Sequence, residues 1–65
     1  MKVIRLTQVI ESTGLGRSTI YKYIAEGKFP KPLQLSERCV GWIEGEVQDW
    51  IQKRIDARNS IIVRK

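Results

Sequence analysis

The chain of 65 residues contains no histidine, a single cysteine and no long apolar run. With Cys39 alone and no histidine, the sequence excludes a Cys/His zinc site and an intramolecular disulfide. One cysteine and no signal segment lead us to expect a reducing, cytosolic compartment. The longest apolar run, Ile61–Val63, is far shorter than the roughly 20 residues of a membrane-spanning helix. We therefore expect no metal, no cofactor and no membrane partner.

Groups suited to catalysis are equally scarce. Three carboxylates, Glu44, Glu46 and Asp49, crowd the predicted start of a helix, where the helix dipole alone explains them. No glycine-rich loop precedes a lysine in the pattern that binds nucleotide phosphates. We therefore predict that the protein is not an enzyme.

Positive charge is in excess and unevenly distributed. The chain has 12 Lys and Arg residues against 7 Asp and Glu residues, a net charge of +5. Residues 1–43 carry seven basic and three acidic residues, whereas residues 44–58 carry three and four. This distribution is typical of a protein that turns one face toward phosphate, and ordinary solvation of a basic surface explains it equally well.

The first predicted element is a short amphipathic helix. Apolar residues recur at helical spacing, namely Leu6, Val9 and Ile10. They predict a helix over residues 7–13, with Thr7 as its N-cap. Gly14 follows and can adopt the left-handed conformation that ends a helix.

A second helix is predicted over residues 17–26. Ile20 and Ile24 are four residues apart and share its apolar side. Gly27 ends this helix in the same way as the first. Two helices joined by a short turn that contains glycine form a helix-turn-helix unit.

The segment after the second helix predicts a β-hairpin. Residues 33–35 and 40–42 alternate in the manner of strands, and two prolines exclude a helix just before them. The polar residues 36–39 between the strands have the length of a hairpin turn. The result is a two-stranded wing with Arg38 near its tip.

A third helix is predicted over residues 44–58. Its apolar stripe consists of Val47, Trp50, Ile51 and Ile55. The helix begins acidic and ends basic, as the macrodipole favours, although Ile43 at the N-cap position is a poor capping residue. Three aromatic residues are interpreted as core: Phe29, Trp42 and Trp50. The tail of residues 59–65 has strand propensity.

Together these elements predict a mainly α fold with a small β-hairpin. The order α-α-β-β-α is that of a winged helix-turn-helix domain, which we place at residues 1–58. Residues 59–65 are interpreted as a C-terminal tail.

The second helix carries a polar, cationic side. Its members are Arg17, Ser18, Thr19, Tyr21 and Lys22. Arg and Lys contact guanine edges or phosphates and hydroxyls reach either, so we predict that this helix enters the DNA major groove. Ser18 or Thr19 also qualifies as a partial N-cap. Tyr21 qualifies as a half-buried core residue, but Ile20 and Ile24 already define the core side, which favours its hydroxyl on a phosphate.

Three further cations lie outside that helix. Lys28 and Lys31 flank the proline-containing segment and are predicted to hold phosphates. Arg38 at the wing tip is predicted to reach the minor groove or its phosphates, since a narrow groove attracts arginine; a solvated arginine is the alternative.

Several motifs in order resemble a known family. They are Val9, Thr13–Leu15, Arg17–Tyr21, Gly27–Pro32, Val40–Trp42, Glu46–Val47 and Trp50–Ile51. With these motifs, residues 4–58 resemble the AlpA family of phage and prophage regulators, MerR-like winged helix-turn-helix proteins that are similar to small excisionases. The chain departs at Gly16, where the family usually has a polar residue, at Gly41, where it usually has alanine, and at Ile43, where a polar cap is usual.

The resemblance implies a sequence-specific, double-stranded DNA-binding regulator of prophage or mobile-element genes, located in the cytoplasm at the bacterial nucleoid. Some family members assist excision with an integrase, so a recombination directionality factor is an alternative, as is a protein-interaction adaptor. We expect a monomer in dilute solution, with tight binding only through adjacent copies on DNA or a partner such as an integrase.

Overall fold

A computed structural model describes residues 1–63 of the chain. In chain order the elements are β1 (Val3–Ile4), α1 (Leu6–Thr13), α2 (Arg17–Ala25), β2 (Leu33–Ser36), β3 (Cys39–Ile43) and α3 (Glu44–Val63). The predicted class, mainly α with a small β-hairpin, is confirmed, and the arrangement is compatible with a winged helix-turn-helix. Strand β1 was not predicted.

Helix α1 starts one residue earlier than predicted, and its N-cap is Arg5 rather than Thr7. Arg5 has extended backbone, with φ −96° and ψ 169°, because it continues the line of β1. Its carbonyl accepts hydrogen bonds from the amides of Gln8 and Val9 at 3.0 and 3.1 Å. The Gln8 side-chain oxygen in turn accepts from the Arg5 amide at 3.2 Å. The predicted left-handed residue after α1 is confirmed: Gly14 has φ 75°.

Helix α2 ends at Ala25, one residue before the predicted end, and its glycine stop is confirmed. Gly27 has φ 74°, a conformation that a side chain disfavours. The Lys28 amide donates to the Tyr23 carbonyl at 2.8 Å, and the Gly27 amide donates to the Ile24 carbonyl at 3.1 Å. These two bonds satisfy carbonyls that the helix end leaves free.

The sheet has three antiparallel strands in the order β1-β3-β2. Residues Val3 and Ile4 of β1 lie opposite Ile43 and Trp42. Immediately beyond this pairing, the Glu44 amide donates to the Lys2 carbonyl at 2.8 Å. The residue just before β1 therefore supplies an acceptor for an amide at the start of α3, where Ile43 offers no side-chain cap.

The core lies between the helices and one side of the sheet. Its buried members are Ile4, Val9, Ile20, Phe29, Trp42 and Val47. Trp42 is fully buried, as predicted, and its indole N–H donates to the Pro30 carbonyl at 3.0 Å. Trp50 was predicted as core but is only half-buried: it packs against the outside of the buried cluster, with its ring centroid 4.9 Å from that of Phe29.

Helix α3 is longer than predicted and continues through Val63. The predicted end of this helix at residue 58 is therefore wrong, and residues 59–63, for which the sequence indicates strand propensity, are helical. No glycine or proline follows Arg58 to stop the helix, so the helical hydrogen bonding continues. Residues 64–65 of the predicted tail lie outside the described residues. In the described part of the chain, no helix is both long enough and apolar enough to cross a membrane.

Candidate nucleic-acid interface

The predicted polar side of α2 is a real surface. Arg17, Ser18, Tyr21 and Lys22 are exposed, and Thr19 is half-buried. Residues four apart on a helix share a face, so Arg17 stands beside Tyr21 and Ser18 beside Lys22. Ile20 on the opposite side is fully buried. The fold thus separates a core side of α2 from a side that carries two cations and several hydroxyls.

The hydroxyls at the start of α2 are not used as caps. Gly16 occupies the N-cap, with φ −78° and ψ 164°, and no side chain bonds to the first turn. Among the hydrogen bonds of the described residues, none involves the Ser18 or Thr19 hydroxyl. The capping alternative for these residues is therefore not realised, and their hydroxyls are free for a ligand.

Tyr21 packs against the core and is also exposed. Its ring meets the buried Trp42 ring edge-on, with centroids 6.5 Å apart and planes at 64°. The side chain is nevertheless 39% exposed. The aromatic contact holds the ring against the core, and the contact of its hydroxyl with a phosphate stays a prediction.

The segment that joins α2 to β2, residues 27–32, is called the strap below. Two indoles hold it: the Trp42 N–H bonds to Pro30, and the Trp50 N–H donates to the Lys28 carbonyl at 2.7 Å. Both lysines of the strap are exposed. Lys28 pairs with Glu26 at 3.4 Å, an exposed ion pair of about 0–1 kcal/mol that phosphate can replace. Lys31 has no carboxylate within 4.0 Å among the described residues.

The hairpin forms the predicted wing. Its strands β2 and β3 are joined by a two-residue turn, Glu37–Arg38, and Arg38 is exposed there. The pairing is irregular between Gln34 and Ser36, and Ser36 lies opposite Cys39. Glu37 and Arg38 together give the turn no net charge.

A cation that the sequence did not indicate lies beside the wing. Arg5 is exposed, and its guanidinium is near the half-buried Cys39 at the start of β3. The Ser36 hydroxyl, followed by the positive charge of Arg5, lowers the pKa of the Cys39 thiol below its usual value. Arg5 was missed because its position depends on β1, which is too short to give a sequence pattern.

These cations make the candidate surface suited to polyanions. Within residues 1–63, no carboxylate lies within 4.0 Å of Arg5, Arg17, Lys22 or Arg38. No group of three or more potential metal ligands occurs in the same described part of the chain. The chemistry that the surface offers is hydrogen bonding and charge pairing with phosphates and base edges.

A second surface feature is a groove of about 940 Å³ between the strap and α3. Apolar groups from Phe29, Pro32 and Trp50 line it, together with charges of both signs. Arg54 covers the Trp50 ring, with its guanidinium carbon 5.8 Å from the ring centroid. Unlike the exposed side of α2, the groove therefore combines apolar surface with mixed charge.

Comparisons with known proteins identify the family of the chain. Residues 2–55 match the family model of the prophage CP4-57 regulatory protein AlpA. The chain is 37% identical over 60 residues to the DNA-binding transcriptional activator AlpA of Escherichia coli K12, covering 83% of this chain and 86% of that protein. It is 39% identical over 57 residues to the uncharacterized protein ORF88 of Enterobacteria phage P4, covering 88% of this chain and 65% of that protein. The chain belongs to the AlpA family of prophage regulatory proteins.

Proposed function

We propose that the protein is a transcriptional regulator of prophage or mobile-element genes that binds specific double-stranded DNA. Helix α2 enters the major groove, and the wing contacts the adjacent minor groove. The observation that carries this proposal is the exposed side of α2, where Arg17 and Lys22 have no carboxylate within 4.0 Å among the described residues. The printed name of the Escherichia coli relative, a DNA-binding transcriptional activator, supports it.

The residues divide into base-reading and backbone-holding groups. Arg17 and Ser18 lie in the first turn of α2, the part of a recognition helix that approaches base edges. Thr19 borders them, whereas Tyr21 and Lys22 lie one turn further and hold phosphates. The remaining phosphate contacts come from the strap and wing: Lys28, Lys31 and Arg38.

One such domain makes a small interface. A single module buries about 600–1,000 Å² of protein surface on DNA, which gives modest affinity. We therefore propose that residues 1–58 form the DNA-binding domain of a monomer in free solution. Tight occupancy then requires adjacent copies or a partner protein, and residues 59–65 are the tail of that domain. As a regulator of bacterial or phage genes, the protein would act in the cytoplasm at the nucleoid.

Fluorescence-anisotropy titration tests the proposal directly. The probes are a labelled duplex from the region upstream of the neighbouring genes and a scrambled duplex of equal length. We expect tighter binding to the first duplex and a steep loss of affinity with salt for both, because phosphate contacts release counterions. Duplex affinity that is absent, or that does not change with salt, would contradict DNA binding.

Two matched variants separate the proposed contacts. If Arg17 reads a base, Arg17→Ala should cost about 1–3 kcal/mol on the upstream duplex and relax the preference at one position. If Lys22 holds a phosphate, Lys22→Ala should weaken binding to both duplexes alike. It should also reduce the salt slope, the slope of log affinity against log salt concentration, by about 1 in magnitude. Lys53→Ala on α3 removes the same charge from another helix and should leave both properties unchanged.

A second candidate function is architectural or adaptor binding, in which an integrase or another protein is the main partner. The groove between the strap and α3 favours it, because the half-exposed Trp50 and apolar strap residues offer a protein-binding surface. Pull-down of the integrase encoded nearby, with Trp50→Ala as the groove variant, tests this function. Integrase capture that survives loss of DNA binding and disappears in the groove variant would favour it over direct regulation.

A further inference from the structure

We propose, on the basis of the DNA-binding function proposed above, that Arg5 is a further phosphate-contacting residue and forms with Arg38 a two-arginine foot of the wing. Neither the polar side of α2 nor the strap includes Arg5. It reaches the wing through strand pairing, and it lies far from Arg38 in the sequence.

The backbone fixes where Arg5 lies. In the antiparallel pairing of β1 with β3, Ile4 lies opposite Trp42. The chain therefore continues from Ile4 to Arg5 alongside β3, in the direction of the wing turn. The Ile4 carbonyl, in the peptide that joins Ile4 to Arg5, is 3.1 Å from the position of a Cβ built on Gly41. Arg5 therefore lies beside β3 near Gly41, two residues after Cys39, where that strand begins. Its own amide and carbonyl are held by Gln8.

The side chain of Arg5 is free for a ligand. It is exposed, and no carboxylate lies within 4.0 Å of it among the described residues. Its neighbour in the wing is the Cys39 thiol, which is not a carboxylate partner for the guanidinium. The guanidinium thus makes no ion pair among the described residues, and its planar fork of donors is suited to binding phosphate bidentately.

Arg5 also stands where folding disfavours a cation. It is the N-cap of α1, and the helix macrodipole places partial positive charge at that end. Its side chain makes no capping hydrogen bond, whereas serine or aspartate at the same position would make one. A residue that opposes the dipole and gives no cap is explained by an anionic ligand that approaches the start of the helix.

The charge balance of the wing gives the same indication. The turn contains Glu37 and Arg38, whose charges cancel, so the hairpin tip alone attracts DNA weakly. Adding Arg5 gives this end of the molecule a net positive charge. The charge of Arg5 offsets the repulsion that Glu37 exerts on a phosphate near Arg38.

Arg5→Ser tests the inference, because serine is a good N-cap and should keep α1 folded. We expect unchanged or higher thermal stability. We also expect a salt slope smaller by about 0.9 and affinity about eightfold lower at 0.1 M salt, the counterion-release contribution of one phosphate contact. Lys2→Ser is the matched control: it removes the same charge from the residue just before β1, at the end away from the wing, and it should keep the slope.

The Cys39 thiol gives an independent readout beside the proposed contact. Saturating duplex should slow alkylation of Cys39 by iodoacetamide at neutral pH in the wild-type protein. Arg5→Ser should slow alkylation of the free protein, because removing the positive charge raises the pKa of the thiol toward its ordinary value. Continued fast alkylation in the presence of duplex would place DNA away from this end of the wing and overturn the inference.

The outcomes distinguish this inference from the proposed function. If the wild-type protein shows no salt-dependent duplex affinity, the proposed function itself fails. If Arg17→Ala and Lys22→Ala weaken binding but Arg5→Ser keeps the wild-type slope, the phosphate contact at Arg5 alone is refuted. An equal loss of slope in Lys2→Ser would show a general charge effect and refute the specific contact.

Discussion

Helices α2 and α3 begin in opposite ways. Helix α3 has Glu44 and Glu46 in its first turn, which the macrodipole favours, and its first amide is satisfied by the Lys2 carbonyl. Helix α2 starts with a glycine cap and Arg17, and its first turn has no acidic residue. A cation and no side-chain cap at a helix start are both unfavourable to the isolated helix.

The difference separates residues that serve stability from residues available for a ligand. Helix α3 follows the local rules of helix formation, and its start needs no further explanation. The start of α2 does not follow them, and that start lies on the exposed side with unpaired cations. Departures from local preference that the rest of the fold tolerates are expected at functional sites.

The largest effect should come from the tryptophan that anchors α2. Trp42→Ala removes a fully buried ring that contacts Tyr21 and bonds to Pro30. The expected loss is about 3–5 kcal/mol, comparable to the whole stability of a domain this small. Trp50→Ala on α3 should cost less, about 2 kcal/mol, because that ring is half-buried. Urea unfolding followed by circular dichroism measures both, and a Trp50 variant less stable than the Trp42 variant would contradict this ranking.

Glycine-to-alanine changes should have opposite signs in the two helices. Gly27, which ends α2, has φ 74°, so Gly27→Ala should destabilise the protein by about 1–2 kcal/mol. Gly45 lies in the first turn of α3 with no atom near a built Cβ, so Gly45→Ala should stabilise it by about 0.5 kcal/mol. Thermal melting of the two variants gives the test. Equal shifts in the same direction would show that the two glycines do not differ in the way the backbone angles indicate.

A smaller effect is expected at the start of α2. Gly16→Ser places a good N-cap on backbone at φ −78° and ψ 164°, with no atom near the new Cβ. Better capping and a less flexible unfolded chain should stabilise the protein by about 0.5–1 kcal/mol. Duplex affinity should stay unchanged, because the cations of α2 are untouched. A stabilised variant with greatly weakened binding would mean that Gly16 itself approaches the DNA backbone.

Much of this fold follows from the sequence because its signals are local. The apolar spacing of Val9, Ile20 and Ile24 defines the first two helices to within one residue of the observed bounds, and glycines mark both ends. The hairpin was predicted from alternation on either side of a polar turn, and its tip does carry Arg38. Of the five residues predicted on the polar side of α2, four are exposed and Thr19 is half-buried.

The features that sequence reasoning missed depend on contacts distant in the chain. Strand β1 has two residues and exists only because β3 supplies its partner. Without that strand, Thr7 is the better N-cap by residue type, and Arg5 gives no sign of its position beside Cys39. Trp50 has the spacing of a core residue, but its half-burial is set by how far the strap covers it. The continuation of α3 past Asn59 reflects the absence of a strong stop.

The most direct test of the account compares two double variants that each remove two positive charges. Arg17→Ala/Lys22→Ala changes α2, and Lys53→Ala/Arg58→Ala changes exposed residues of α3. In anisotropy titrations across a salt series, the account predicts that the α2 variant loses sequence preference and at least about 0.9 of the salt slope. The α3 variant should retain both, and each should change stability by about 0.5 kcal/mol or less per substitution. Equal losses in the two variants, or wild-type affinity in the α2 variant, would contradict the assignment of DNA binding to α2.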